Sequence, residues 1–125
     1  NLVNKNIRNQ FQVVLLPNLY GDIITDEAAQ IQGGVGTAGS ANMGDRYAMF
    51  EAIHGSAPRL IELGLGDYAN PQSILKAEAM LLRHICRTAA AEKLEYALEN
   101  CPTVITGDRD GATCETYAAD LIKML

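Results

Sequence analysis

No apolar run in these 125 residues approaches the ~20 that a membrane-spanning helix needs, so a membrane role is not expected. No cluster of Lys or Arg stands out, and the net charge is −5. Neither nucleic acid nor an anionic membrane is therefore an expected partner. The cysteines Cys86, Cys101 and Cys114 show no C-x-x-C spacing and no neighbouring His pattern, which argues against zinc. Their odd number in an ordinary composition reads as reduced thiols in an intracellular protein. Residues 1–12 are polar and mixed and carry no signal-peptide pattern. No internal repeat, heptad run or low-complexity tract is present. NLVNKNIRNQ also lacks an initiator Met and reads as the end of a helix already under way, so a piece of a longer protein is expected.

What is there suits one folded domain. Apolar residues make up 48% of the chain, enough for a core and too many for a disordered tail. FQVVLLPN (11–18) is a short apolar run that predicts a buried strand. Gly21 would turn the chain, and Asp22 would cap a helix reaching about Ile31. Strand, tight turn and helix in that order are an α/β signature. GGVGTAGSANMGD (33–45) reads as loop, and YAMFEA (47–52) as a second strand. Residues 54–71 are irregular, with one helical turn around Leu60–Leu63, and Asn70-Pro71 is a helix entry. Helical spacing then runs through 72–100, with a break near Arg87-Thr88. Ile74, Leu75, Met80, Leu81, Leu82 and Ile85 spread around the first part, which predicts a buried or subunit-contact helix. His84 on it is expected in the core or at an interface. VITGDRDGAT (104–113) is turn-rich, and Glu115–Leu125 predicts a last helix with Tyr117, Ala118, Leu121, Ile122 and Leu125 on its apolar side.

The stretch NLYGDIITDEAAQ (18–30) carries two aspartates four residues apart. On a helix, Asp22 and Asp26 share a face, and in open α/β sheets ligands bind where strands give way to helices. Two such carboxylates can hold Mg²⁺, which takes oxygen ligands and often only one or two carboxylates. The spacing equally allows Asp22 as a plain N-cap and Asp26 as a first-turn acid facing the helix dipole.

NLYGDIITD resembles the core motif of the metal-dependent β-decarboxylating dehydrogenases, the isocitrate and 3-isopropylmalate dehydrogenases with their tartrate and D-malate relatives. The resemblance continues, in order, through GGVGTAGSANMGD, FEAIHGSAP, YANP and ILKAEAMLLRH. Glu51-Ala52-Ile53-His54-Gly55 and the short stretch from Gly44-Asp45 to Phe50 look closest to the isocitrate branch. The resemblance implies an α/β fold, the C-terminal part of the isocitrate/isopropylmalate dehydrogenase fold, with strands, flanking helices and a non-Rossmann cofactor loop. Residues 1–125 would then be a single partial domain, part of the large cofactor-binding domain.

HGSAP (54–58) has neither P-loop nor G-x-G-x-x-G spacing. Read by itself it is a turn in which Gly55 permits unusual dihedrals and Ser56 can meet a ligand. The resemblance makes it the loop that wraps the adenosine of a nicotinamide cofactor. It implies cofactor contacts at His54, Gly55, Ser56, Ala57 and Asn70, with Glu51 nearer the nicotinamide and Asp108 near the adenine. Arg59 stands where NAD-using relatives commonly have Asp. Leu60 and Gly107 replace residues typical of NADP-using bacterial enzymes. The balance favours NAD, with NADP open, since Arg59 can either face a 2′-phosphate or simply be solvated. Gly39 stands where relatives often have Pro and is expected to add only loop flexibility.

The implied reaction is oxidation followed by decarboxylation of isocitrate to 2-oxoglutarate. Mg²⁺ or Mn²⁺ would be held by Asp22 and Asp26, Asp22 would share in proton transfer, and the cofactor would take the hydride. The substrate's Ser/Asn/Arg cluster and the catalytic Tyr and Lys have no match here, so the segment is expected to be inactive alone and part of a homodimer. The expected compartment is the cytoplasm, or the mitochondrial matrix in a eukaryote. The rival readings are a segment of an isopropylmalate, D-malate or tartrate enzyme, a stand-alone nucleotide-binding module, and a non-catalytic regulatory subunit.

Overall fold

A computed structural model describes residues 4–32 and 38–125. Its elements are helices α1 (Lys5–Arg8) and α2 (Asn18–Gln32), strands β1 (Gly39–Met43) and β2 (Ala48–Ala52), then α3 (Pro58–Glu62). One 3₁₀ turn (Gly66–Tyr68) leads on to α4 (Gln72–His84), α5 (Thr88–Asn100) and α6 (Cys114–Ile122). The chain divides into two compact units, Asn1–Val35 and Gly36–Leu125.

In the first unit Asn4 caps α1, its Oδ1 accepting the Asn6 N–H at 3.0 Å. The expected strand over 11–18 does not form. Residues 11–17 carry no regular structure, and Val13 and Leu15 are 85% and 95% exposed. A strand exists only as part of a ladder, and among the described residues nothing pairs with this run. The helix that follows starts at Asn18, earlier than Asp22, because the Pro17 carbonyl already accepts the Gly21 N–H at 2.8 Å. Gly21 therefore lies inside α2 and makes no turn.

In the second unit β1 and β2 form an antiparallel hairpin with Gly39 opposite Ala52 and Met43 opposite Ala48. The loop expectation for 33–45 is thus corrected over 39–43; residues 33–37 lie outside the described residues. Small Gly, Ser and Ala favour a loop in isolation, but here they let the strand lie flat on α4. A Cβ on Gly39 would come within 2.5 Å of the Ala77 backbone nitrogen. Gly39 is therefore a close-packing residue, not a source of flexibility.

Helices α4, α5 and α6 enclose the core: Ala79, Leu94, Ala97, Leu98, Tyr117 and Leu121, flanked by Leu75, Leu82, Cys101, Ile105 and Met124. The helix break falls where expected, at Ile85–Arg87. There Cys86 adopts φ 60°, and the Arg87 N–H returns to the Leu82 carbonyl at 2.7 Å. That arrangement satisfies a carbonyl at the end of α4, in the manner of a left-handed helix C-cap. Within the chain α4 is covered on one side only. Its buried residues are Ser73, Ala77 and Ala79, while Ile74, Met80, Leu81 and Ile85 face outward. Small residues take the inner face because the hairpin and α5 approach the α4 backbone closely. Likewise α6 buries Tyr117 and Leu121 but leaves Ile122 and Leu125 exposed. His84 is exposed and meets the Phe50 ring, centroids 5.5 Å apart. No helix of the described residues is long and apolar enough to cross a membrane.

Candidate functional site

The first candidate lies on α2. Asp22 and Asp26 stand one turn apart, both exposed. As the fifth and ninth residues of the helix they are too deep to cap it or to sit in its first turn. The capping alternative is thereby removed. Neither carboxylate has a hydrogen-bond or ion-pair partner among the described residues, so both can accept a ligand. They fit a hard divalent cation as two of its oxygen ligands. No group of three or more metal-ligating side chains occurs among the described residues, so the pair would supply only part of a cation's coordination sphere.

The second candidate is the loop that leaves β2. Strand β2 alternates, with Ala48, Phe50 and Ala52 turned inward and Met49 and Glu51 outward. Glu51 accepts a hydrogen bond from the Asn42 amide on β1 at 2.9 Å. His54 donates from Nδ1 to the Gly55 carbonyl at 3.0 Å, because a carbonyl can only accept; Nε2 is left to accept. Ser56 is exposed, with no hydrogen-bond partner among the described residues. The unusual dihedral falls on Ala57 (φ 46°, ψ 56°), whereas Gly55 keeps an ordinary φ. A non-glycine residue held left-handed costs about 1–3 kcal/mol, so the surrounding structure imposes this conformation. Space above Gly55 is open, since a Cβ there would meet nothing within 4 Å. An exposed loop with a hydroxyl unpaired among the described residues and open room at its glycine fits a dinucleotide.

Asn70 stands two residues before α4. Its Oδ1 accepts the Gln72 N–H at 2.9 Å and its NH₂ donates to the Gln72 Oε1 at 3.5 Å, so both ends of the amide engage the helix entry. Asp108 sits in the 101–113 connection, where its Oδ1 accepts the Arg109 N–H at 2.6 Å. Arg109 brings this connection to the α3 side, its guanidinium lying 3.9 Å from where a Cβ on Gly64 would stand. Arg59 is exposed in the first turn of α3, immediately after the loop. Sequence reasoning missed Ser73, whose hydroxyl reaches the end of β2; nothing in its spacing distinguishes a helix serine that points inward.

The described residues thus form a mixed α/β fold, with an acidic pair on α2 and an exposed loop after β2. The chain belongs to the isocitrate/isopropylmalate dehydrogenase family, whose sequence model matches residues 1–122. Among its relatives, an isocitrate dehydrogenase [NADP] of Rickettsia bellii is 53% identical over 87 residues, covering 70% of this chain and 17% of that protein. A mitochondrial regulatory chain of isocitrate dehydrogenase [NAD] from Dictyostelium discoideum is 39% identical over 122 residues, covering 94% of this chain and 34% of that one. The crystal structure of isocitrate dehydrogenase from Methylococcus capsulatus superposes with a TM-score of 0.81 at 35% identity, covering 94% of this chain and 36% of that structure. The chain thus spans about a third or less of the length of these relatives.

Proposed function

We propose that this chain is the metal- and dinucleotide-binding segment of an enzyme that oxidatively decarboxylates isocitrate to 2-oxoglutarate. The observation that carries the reading is the pair Asp22 and Asp26, exposed, without a partner among the described residues and one helical turn apart within NLYGDIITD. When bound, Mg²⁺ or Mn²⁺ supplies Lewis-acid chemistry and NAD or NADP accepts the hydride. Asp22 and Asp26 hold the cation's side of the substrate, and Asp22 is the residue assigned to share in proton transfer. Glu51, His54, Gly55, Ser56, Ala57, Asn70 and Asp108 bind and orient the dinucleotide. In this reading residues 1–125 are one part of the large domain, and the complete enzyme is a homodimer acting in the cytoplasm or mitochondrial matrix. The segment alone is inactive.

The test is Asp26→Asn in the complete enzyme. Losing one ligand raises the Mg²⁺ concentration needed for half-maximal isocitrate oxidation roughly tenfold or more, equivalent to ~1.4 kcal/mol or more. Unchanged metal dependence with an intact fold rejects the pair as ligands.

Similarity to a regulatory chain over nearly the whole sequence supports a second reading, a subunit without turnover. Both carboxylates of the pair are present, however, and a subunit relieved of chemistry has no need to keep them.

A further inference from the structure

We propose that Ser73 is a positioning residue for the dinucleotide loop, a role that rests on reading residues 54–57 as cofactor-binding. Ser73 is the second residue of α4 and is 0% exposed, the one buried polar side chain among the described residues. Its hydroxyl donates to the Ala38 carbonyl and accepts the Ile53 N–H at 3.1 Å. Both bonding capacities of the side chain go to backbone groups at the open end of the hairpin.

The register shows what this accomplishes. The last strand pair is Gly39 with Ala52, so the next pair in sequence would be Ala38 with Ile53. The Ser73 hydroxyl lies between those two residues and takes a donor from one strand and an acceptor from the other. It ends the ladder there and fixes the exit point of β2 one residue before His54. Gly39 on Ala77, one helical turn along, holds the same end of the hairpin against α4. Because the Asn70 side chain accepts the N–H of Gln72, the residue before Ser73, the hydroxyl also couples the loop to Asn70 on a short path. A loop whose first residue is held by a buried bond loses less freedom when it closes on a ligand.

The experiment compares Ser73→Ala, Ser73→Thr and the cap variant Thr113→Ala in the complete enzyme. Each is titrated with NAD and with NADP, its melting temperature is recorded, and amide hydrogen exchange is followed at residues 53–57. Ser73→Ala is expected to weaken dinucleotide binding about tenfold and to speed exchange at 53–57. Ser73→Thr, which keeps the hydroxyl, restores both. Thr113→Ala is expected to lower the melting temperature and leave the dissociation constant alone. Wild-type affinity in Ser73→Ala, or equal weakening by Ser73→Ala and Thr113→Ala, overturns the proposal. If Ser73→Ala does not fold, exchange in the wild type decides. An Ile53 amide protected well above those of 54–57 supports the role, and one that exchanges as fast as they do overturns it. Failure of the underlying reading looks different: the wild-type enzyme would bind neither dinucleotide.

Discussion

At the scale of single residues, backbone register decides what a side chain can do. Asp22 has the chemistry of a cap, yet α2 begins four residues earlier and leaves it on the helix flank beside Asp26. Gly39 has the chemistry of a flexible loop, yet it marks the closest approach of β1 to α4. Gly39→Ala must push the strand from the helix, and overpacking of this kind costs about 1–3 kcal/mol. Chemical denaturation would show it as a lowered midpoint with unchanged slope. Arg59 is tested by charge reversal. With the complete enzyme, Arg59→Asp is expected to shift the ratio of kcat/KM values toward NAD, roughly tenfold if a guanidinium–phosphate contact of ~1.4 kcal/mol is lost. An unmoved ratio removes Arg59 from the cofactor.

At the scale of elements, one charge pair joins α4 to α5 and a second lies at the end of α6. Arg83 on α4 reaches Glu95 on α5 through two bonds, Nε to Oε1 at 2.8 Å among them. That hydrogen bond, chiefly, holds the Glu95 carboxyl below the usual carboxylate range. Asp120 on α6 is likewise lowered, first by Lys123 and then by Thr103, which donates to its Oδ2 at 2.6 Å. Both groups bind protons more weakly when folded than when unfolded. Their contribution is therefore complete above the ordinary carboxylate pKa and is lost as pH falls through the lowered folded values. Melting temperature is expected to be flat near neutrality and to drop below about pH 4. In Glu95→Gln with Asp120→Asn that acid slope should shrink; a slope that stays the same would place the acid sensitivity elsewhere. Both pairs are solvent-exposed, so their effect is small beside that of the core.

At the scale of the whole molecule, stability of the second unit resides in the packing of α4, α5 and α6 around Leu94, Leu98, Tyr117 and Leu121. Leu94→Ala is expected to cost about 2–5 kcal/mol, read from denaturant unfolding by circular dichroism. A loss below that range would mean that the helices repack around the gap. Exposed Ile74, Leu81 and Ile85 recur along one side of α4, where periodicity alone suggested burial all round. Helical spacing marks which residues are apolar. Which apolar side is covered depends on neighbours that lie far away in sequence.

Sequence by itself determined the helices from 72 onward to within a few residues, their break near Arg87, a strand over 47–52 and the motifs that mark the family. Each of these rests on local forces: apolar spacing, the Asn70-Pro71 helix entry, and backbone preferences within one turn or strand. Tertiary structure alone decided the rest. It left 11–17 outside any sheet, because a strand requires a partner that spacing cannot supply. It turned GSANM from an expected loop into β1, because Gly39 allows contact with Ala77. It placed the strained dihedral on Ala57, and it aimed the Ser73 hydroxyl at the end of β2. These outcomes depend on which backbone groups meet across distant parts of the chain, and buried donors and acceptors must find partners wherever the fold brings them.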